Sequence, residues 1–522
     1  MITIDVSVTP EIAASPEALK RTAANALQMP VGDIVRIDVL RRAIDARRGR
    51  PKIQLRLGVN ADKPTPIFDK KNYKNVAGKP PVIIVGSGPA GMFAALKLLE
   101  HGLRPIVIER GKEVSARKRD LALLSRQHSL NADSNWCFGE GGAGTFSDGK
   151  LYTRSNKRGN IDEILQQLVA HGANRNILED AHPHIGTDKL PAIVSAIRQT
   201  VEDCGGIYHF NTRAVDLAVK NGAAQGVVAA DGTCYEGIAV ILATGHSARE
   251  VYQLFDRRRW LLESKAFAMG VRVEHPQALI NEIQYGKACR RLVETGLLPP
   301  ATYSLTAQTG GRGVFSFCMC PGGIMAPAAT SPDEVVVNGM SNSQRNSPYA
   351  NAGIVVQVFP SDCRTIDGAS PAMAGMALQQ ATEQAMFVAA NHSQAAPTQR
   401  LADFVNGRFS ALPIKTSYLA GNTPAPLHAL LPDVILQNLQ QAFKQFDRKM
   451  RGFLSSDATV TAIESRSSSP VRIPRDPASL QHPQLANLYP CGEGAGYAGG
   501  ITSSAIDGVR CAEKIIEKVV SS

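Results

Sequence analysis

Val82-Ile83-Ile84-Val85 runs directly into Gly86-Ser87-Gly88-Pro89-Ala90-Gly91. Four successive β-formers without a polar interruption predict a strand buried on both faces. The glycine string fits G-x-G-x-x-G and opens a helix over about residues 89–101, with a second strand at 105–109. In such a βαβ unit Gly86 permits the tight turn, Gly88 lets the backbone approach a diphosphate, and Gly91 lets helix and strand pack closely. The helix start, with Pro89 and Ala90, presents unpaired N–H groups and partial positive charge to the phosphates. Glu109 ends the second strand about twenty residues on, where a carboxylate takes a ribose hydroxyl pair and disfavours a 2′-phosphate; Arg110 follows it. The bland alternative is a tight βα turn with no ligand. The same string recurs at Gly139-Glu140-Gly141-Gly142-Ala143-Gly144, but no buried strand precedes it. That copy reads as a loop, anchored by Phe138 and Phe146, whose glycines allow close approach to a flat ligand.

The rest of the chain is read around this unit. Its 522 residues leave room for two to four domains. Residues 1–75 predict a small α+β domain: Ile2, Ile4, Val6 and Val8 alternate as a strand, Ser15-Pro16-Glu17 opens a helix, and strands follow at 34–44 and 52–59. A polar stretch from Lys63 to Pro80 reads as a linker. The first part of the cofactor domain spans 81–249, with a short helix near 161–171, a helix from Thr187 to Cys204, strands near 207–219 and 226–230, and a buried strand at 239–243. Residues 250–455 read as an inserted α+β substrate domain with helices near 371–391 and 432–447. Residues 456–522 return to the cofactor domain with a strand at 488–490, a glycine loop and a last helix at about 502–518. The expected fold class is α/β: a Rossmann-like, two-part dinucleotide domain, an inserted α+β domain and a small N-terminal α+β domain.

Composition removes several classes. With 44% hydrophobic residues, disorder is not the default, and no run of eighteen apolar residues occurs, so no membrane span is expected. Met1 to Asp5 carry no basic leader pattern and alternate like a strand, which predicts no signal peptide. Nine scattered cysteines without C-x-x-C or zinc spacing suit reduced thiols in a cytoplasm, and no metal site is expected. The formal charge of +11 favours an anionic cofactor or partner without singling out nucleic acid.

Three further motifs carry a resemblance. Ala239-Val240-Ile241-Leu242-Ala243-Thr244-Gly245 resembles the A-T-G strand end of glutathione-reductase-like FAD proteins, and Leu488-Tyr489-Pro490-Cys491-Gly492-Glu493-Gly494-Ala495-Gly496 resembles their C-terminal flavin motif. There Glu493 stands where that motif has aspartate. Gly499-Gly500-Ile501 opens the last helix, whose positive end in that superfamily faces the flavin N1–O2 edge. The long strings from Phe138 to Leu151, from Phe315 to Gly323 and from Tyr489 to Gly500 are similar to signatures of a largely uncharacterised bacterial FAD-dependent dehydrogenase family, over the whole chain. The resemblance implies FAD as cofactor, an oxidoreductase fold, and a contact set that adds Gly141, Gly142, Ala143, Gly144, Thr145, Val215, Thr244, Gly245, Gly492, Glu493, Gly499, Gly500 and Ile501 to the first turn. No second Rossmann unit is visible, so NAD(P)H is expected at most as a transient electron donor at an exposed face.

Candidate chemistry follows from what stands near these motifs. Cys318-Met319-Cys320 places two thiols at i and i+2, with Cα atoms about 6.6 Å apart if the strand is extended, so a disulfide between them needs a sharp turn. They are either small buried hydrophobes or a reducible pair relaying to flavin. Cys137 and Cys491 stand beside the other flavin motifs; convergence of all four would favour the redox reading, and separation would end it. His184, within His182-Pro183-His184, is a candidate proton donor, as is His246; both histidines of the first motif equally fit a loop entering a helix. Arg272 and Glu274 share a strand face, and with Arg345 and Arg466 they fit an anion clamp or structural ion pairs. The basic hairpin from Arg41 to Lys52, including Arg47, Arg48 and Arg50, fits a solvated turn or a dock for an acidic redox partner, with RNA binding less expected. The leading expectation is hydride transfer between flavin N5 and a small-molecule substrate held by the insertion. The alternatives are a flavin-linked thiol/disulfide oxidoreductase using Cys318 and Cys320, and an FAD-dependent RNA-binding or tRNA-modifying protein.

Overall fold

A five-stranded, all-parallel sheet forms around the first glycine turn, in the spatial order Leu488–Pro490, Ala239–Leu242, Pro81–Val85, Arg104–Ile108, Ile207–His209. The computed structural model describes residues 2–47, 49–60, 70–153, 159–365, 369–409, 411 and 413–521. Parallel strands buried on both faces need cover on both sides, and two apolar clusters supply it. One packs the helices Pro89–Glu100, Leu190–Asp203 and Ile501–Val520 against Val82, Ile84 and Ile241; the other packs helix Arg249–Arg258 against Ile83, Val85 and Val240. The strand at 488–490 closes the sheet beside a strand some 250 residues earlier, so the parallel sheet is assembled from two separate stretches of the chain.

A seven-stranded sheet forms the second large unit, centred on Phe267–Pro276 and Tyr349–Val358. Thr459–Glu464 pairs with Phe267–Pro276 inside this sheet, so it runs past the expected edge at residue 455. The three N-terminal strands, Ile2–Val8, Lys52–Val59 and Ile37–Asp45, form an antiparallel sheet with Lys52–Val59 in the middle. Its Ile53, Leu55 and Leu57 join the core of the seven-stranded unit, and Arg42 exchanges backbone hydrogen bonds with Glu179 and Ala181.

Four local expectations change. The helix expected from Thr187 begins at Leu190: residues 187–189 form a turn in which the Lys189 and Leu190 N–H groups both donate to the Gly186 carbonyl. A helix at Val114–Gln127 stands where only loop was expected. The strand expected over 207–219 is two: Ile207–His209 joins the parallel sheet, whereas Ala214–Lys220 belongs to a separate three-stranded antiparallel sheet. Residues 70–80 are not a free linker, since Val76 is buried and bonds to Cys204, and Lys71 bridges Glu100 and Glu163. The start of that stretch, and Arg48 of the hairpin, lie outside the described residues.

Candidate active site

Two helices open their N-termini on one cavity of about 400 Å³. Pro89–Glu100 starts after Gly88 and Ile501–Val520 after Gly500, and neither N-cap residue offers a side chain to the first N–H groups. Each end therefore presents unpaired donors and the positive pole of its dipole. Gly508 makes the pairing of these helices possible: a Cβ there would come 2.0 Å from the Ala90 carbonyl oxygen. Gly86, at φ +104, turns the strand where a Cβ would lie 2.4 Å from the Ala243 carbonyl oxygen. The floor of the cavity is bare backbone. A Cβ at Gly88 would meet only the Gly142 Cα, at 3.9 Å, and one at Gly245, Gly499 or Gly500 would meet nothing within 4 Å. Side chains at those four positions would fill the cradle, so the residues fit a long, flat, diphosphate-linked ligand.

Most of the expected contact set converges here. Gly86, Gly88, Pro89, Ala90, Glu109 and Arg110 line the cavity together with Gly142, Ala143 and Gly144. Thr244, Gly245, Gly492, Glu493, Gly499, Gly500 and Ile501 complete it from the other side. Four expected contacts lie off its wall. Gly91 packs helix on strand, with a Cβ position 2.0 Å from the Gly86 carbonyl oxygen, and Gly141 packs on the Thr145 hydroxyl in the same sense. Thr145 is buried and donates to the Glu140 carbonyl. Val215 is half-exposed on its strand, where alternation turns it away, and Thr212, Arg213 and Ala214 line the cavity in its place.

Glu109, expected to bind a ribose, has both carboxylate oxygens bonded within the chain. One carboxylate oxygen accepts from the Ser87 N–H and hydroxyl at 2.9 Å, and the other accepts from the N–H groups of Gly111 and Gly139 at 2.8 and 3.0 Å. It thereby ties the first glycine turn to the second. Arg117, on the helix that local sequence did not show, holds the second loop from the other side. Fully buried, it donates to the carbonyls of Asn135, Trp136 and Glu140 at 2.8–3.0 Å. Arg110 lies 4.0 Å over the Phe138 ring and pairs with Asp133 and Glu250.

The far wall comes from the seven-stranded unit and its flank, through Phe317, Cys318, Asn338, Glu464 and Arg466. Strand Arg312–Cys320 loses register between Phe317 and Cys320, with Cys318 at φ +45. This bulge brings both thiols to the Lys150 ammonium, at 3.8 Å from Cys318 and 3.6 Å from Cys320. Arg272 donates to the Cys318 carbonyl at 2.8 Å and reaches the Cys320 sulfur at 3.5 Å, while pairing with Glu464 at 2.7 Å. Cys320 donates to the Cys318 carbonyl at 3.3 Å. The Cys320 thiol beside it, with Lys150 and Arg272, holds Cys318 well below its ordinary range against burial, while the neighbouring Cys318 and burial push Cys320 up. Lys150 was visible only as the residue closing Asp148-Gly149-Lys150 after the loop; nothing local ties it to residues 318–320.

The other candidates divide. Cys137 and Cys491 line the same cavity but have neighbours of their own: Cys137 donates to the Ala328 carbonyl, and the Cys491 sulfur lies within 4.8 Å of Asp507 and Cys511. The four thiols thus form no single cluster, which ends the four-thiol relay; what stands together is the pair Cys318 and Cys320 on Lys150. Cys491, Asp507 and Cys511 are close enough to hold a metal, yet Arg475 already pairs with Asp507 at 2.6 Å. His184 does not reach the cofactor cavity; it lines a second one of about 1590 Å³, with its Nε2 3.3 Å from the Ser343 carbonyl oxygen. His246 lines the first, with Nε2 3.6 Å from a Glu493 oxygen. Burial pushes the Glu493 carboxyl up to about 7, and burial with Arg466 and Arg249 pushes His246 down to about 4. Of the suggested anion clamps, Arg345 pairs with Asp148 and Arg466 with Glu334 and Glu383, while Glu274 is bonded to Ser417. In the hairpin, Arg47 pairs with Asp45 and Arg50 with Glu11.

Comparison with known proteins agrees with this cavity. Residues 79–130 match a family described as an FAD binding domain, and 266–467 match one described as FAD-dependent protein, C-terminal domain-like. Residues 1–60 match a domain of unknown function. Over 521 residues, 96% of either chain, the sequence is 38% identical to an uncharacterized protein of Clostridium beijerinckii. The chain belongs to this FAD-dependent family. The cofactor of this flavoprotein is FAD. Its likeness to solved structures is distant: CtdE in complex with FAD has a TM-score of 0.31 and 11% identity, over 85% of this chain and 91% of that one. A geranylgeranyl bacteriochlorophyll reductase-like protein from Thermoplasma acidophilum has a TM-score of 0.35 and 13% identity, over 85% and 79%. No helix among the described residues of the flavoprotein is long and apolar enough to cross a membrane.

Proposed function

We propose that the protein is an FAD-dependent oxidoreductase that exchanges a hydride with a small substrate held between the glycine floor and the seven-stranded unit. One observation carries this: the cavity with two uncapped helix ends on one side is walled on the other by Phe317, Cys318, Asn338, Glu464 and Arg466. Bound FAD supplies the two-electron chemistry. The chain's own residues bind, orient and move protons. The helix starting at Pro89 takes the diphosphate, and the helix starting at Ile501 favours negative charge on the ring system. Glu493 and His246 form an acid–base pair on the wall, because the carboxyl titrates near neutrality while the imidazole stays neutral. The A-T-G strand end and the loop at 491–496 support a glutathione-reductase-like membership within this reading. Nine unpaired cysteines support a reducing, cytoplasmic setting. An acidic partner or RNA at the 41–52 hairpin gains no support from arginines already paired to Asp45 and Glu11.

NAD(P)H belongs to the proposal as a transient donor. Anaerobic mixing of the holoprotein with NADH and with NADPH is expected to bleach the flavin band with at least one of them. Bleaching by neither removes the nicotinamide version and leaves the substrate itself as reductant. A protein that stays colourless after refolding with FAD defeats the whole reading.

A further inference from the structure

Resting on the FAD reading, we propose that Cys318 and Cys320 are a redox-active dithiol, exchanging two electrons with the FAD bound in the same cavity. In an unbroken strand these two residues share a face, but their Cα atoms stand about 6.6 Å apart. Here the register is lost after Phe317, the backbone is left-handed at Cys318, and both sulfurs contact one ammonium. The Cys320 thiol also donates to the Cys318 carbonyl at 3.3 Å. The two sulfurs differ in access: Cys318 lines the cofactor cavity, whereas Cys320 is fully buried behind it. That asymmetry assigns the roles. Cys318 is the sulfur that meets the flavin or an incoming sulfur, and Cys320 is the resolving partner.

The charges around the pair favour a thiolate at Cys318. Lys150 touches both sulfurs, and Arg272 reaches Cys320 and the Cys318 carbonyl. Facing them are Asp148, which is held ionised by Lys150 and Arg345 against burial, and Glu464, paired to Arg272; Glu493 lies across the cavity. Burial raises the Glu464 carboxyl to about 7, as it does Glu493, so the two cations are the steadier charges at neutral pH. A thiolate in such surroundings is the competent nucleophile.

The step balances. The Cys320 S–H bond breaks and a Cys318–Cys320 S–S bond forms; two electrons and that one proton pass to FAD, which becomes the reduced flavin anion. In reverse, reduced flavin returns the electrons and the proton to Cys320. FAD is the only oxidant required.

The test is an anaerobic reductive titration of the oxidised holoprotein with dithionite, read on the flavin band. The wild type is expected to take up two more electrons per FAD than Cys318→Ser or Cys320→Ser at equal FAD content. A readout independent of variants uses the tryptic peptide from Gly313 to Arg345, whose only cysteines are 318 and 320. It should resist alkylation before reduction and take two alkyl groups after. Lys150→Met should slow Cys318 alkylation roughly tenfold at neutral pH and move its pH profile upward. Equal electron uptake by wild type and Cys320→Ser, or a peptide fully alkylated in the oxidised holoprotein, overturns the dithiol while leaving FAD in place. Absence of FAD after reconstitution instead overturns the reading beneath it.

Discussion

Glu493 shows how much one methylene and one neighbour decide. Aspartate is the residue expected at its position in the flavin motif, and the longer side chain brings a carboxylate oxygen within 3.6 Å of the His246 Nε2. Distance alone suggests an ion pair. The charges do not, because burial raises the carboxyl to about 7 and lowers the imidazole to about 4. At neutral pH the imidazole is uncharged and the carboxyl is partly protonated, so an acid faces a base. The acid form is present below about 7 and disappears as pH rises through it. Flavin reduction that draws its proton from Glu493 should therefore slow on the alkaline side of about pH 7. Glu493→Gln should keep FAD, lose that limb of the profile and reduce the rate by roughly 10²–10⁴. Stopped-flow traces across the pH range check this; an unchanged profile in the variant would assign the proton to another group.

At the scale of elements, the site depends on two helices meeting backbone to backbone. Gly508 of the last helix lies against Ala90 of the first, and a methyl there would come 2.0 Å from the Ala90 carbonyl oxygen. Gly508→Ala should push the helices apart, tilt both N-termini off the cavity and cost about 1–3 kcal/mol. The expected outcome is a folded protein with a lowered Tm and much-reduced FAD content; full FAD occupancy would show that the helix ends do not need this approach. The two glycine strings were legible from the chain because local residue types dictate them. The helix Val114–Gln127 was not: its charged run at 117–120 hides the apolar stripe of Val114, Leu121 and Leu124, and Arg117 is buried only because the loop carbonyls meet it. The Thr187 stretch is also shaped from afar: its N–H bonds to the distant Ser341 carbonyl while residues 187–189 turn before the helix begins at Leu190. The strand Thr459–Glu464 joins a sheet whose partner lies nearly two hundred residues earlier, and no local pattern specifies that pairing. The meeting of Lys150 with Cys318 and Cys320 is likewise a product of tertiary structure.

Across the whole molecule, four charges join the part that carries the glycine turns to the part that supplies the far wall. Arg249 begins the helix beside the parallel sheet, Arg466 follows the strand Thr459–Glu464, Glu334 precedes the strand Val337–Ser341, and Glu383 lies in the helix Ala374–Ala389. Each arginine pairs with both carboxylates at 2.7–2.8 Å, and Glu334, Glu383 and Arg466 are buried. Two cations face Glu383, held ionised by Arg466 and Arg249 against burial, and Glu334, raised to about 7 by burial and Glu383. The quartet is therefore near neutral and tolerated in the interior, but removing one arginine leaves two buried carboxyls on a single cation. Arg466→Met should therefore destabilise the protein by about 3–5 kcal/mol, well beyond the packing change of a similar-sized side chain. Arg466 also lines the cofactor cavity, so the loss should extend to FAD: the variant is expected to release flavin at a lower temperature than the wild type, ahead of global unfolding. Thermal scans that follow flavin fluorescence and far-UV circular dichroism together measure both transitions. Coincident midpoints, shifted by less than the Gly508→Ala variant shifts them, would mean that the two parts are held together elsewhere.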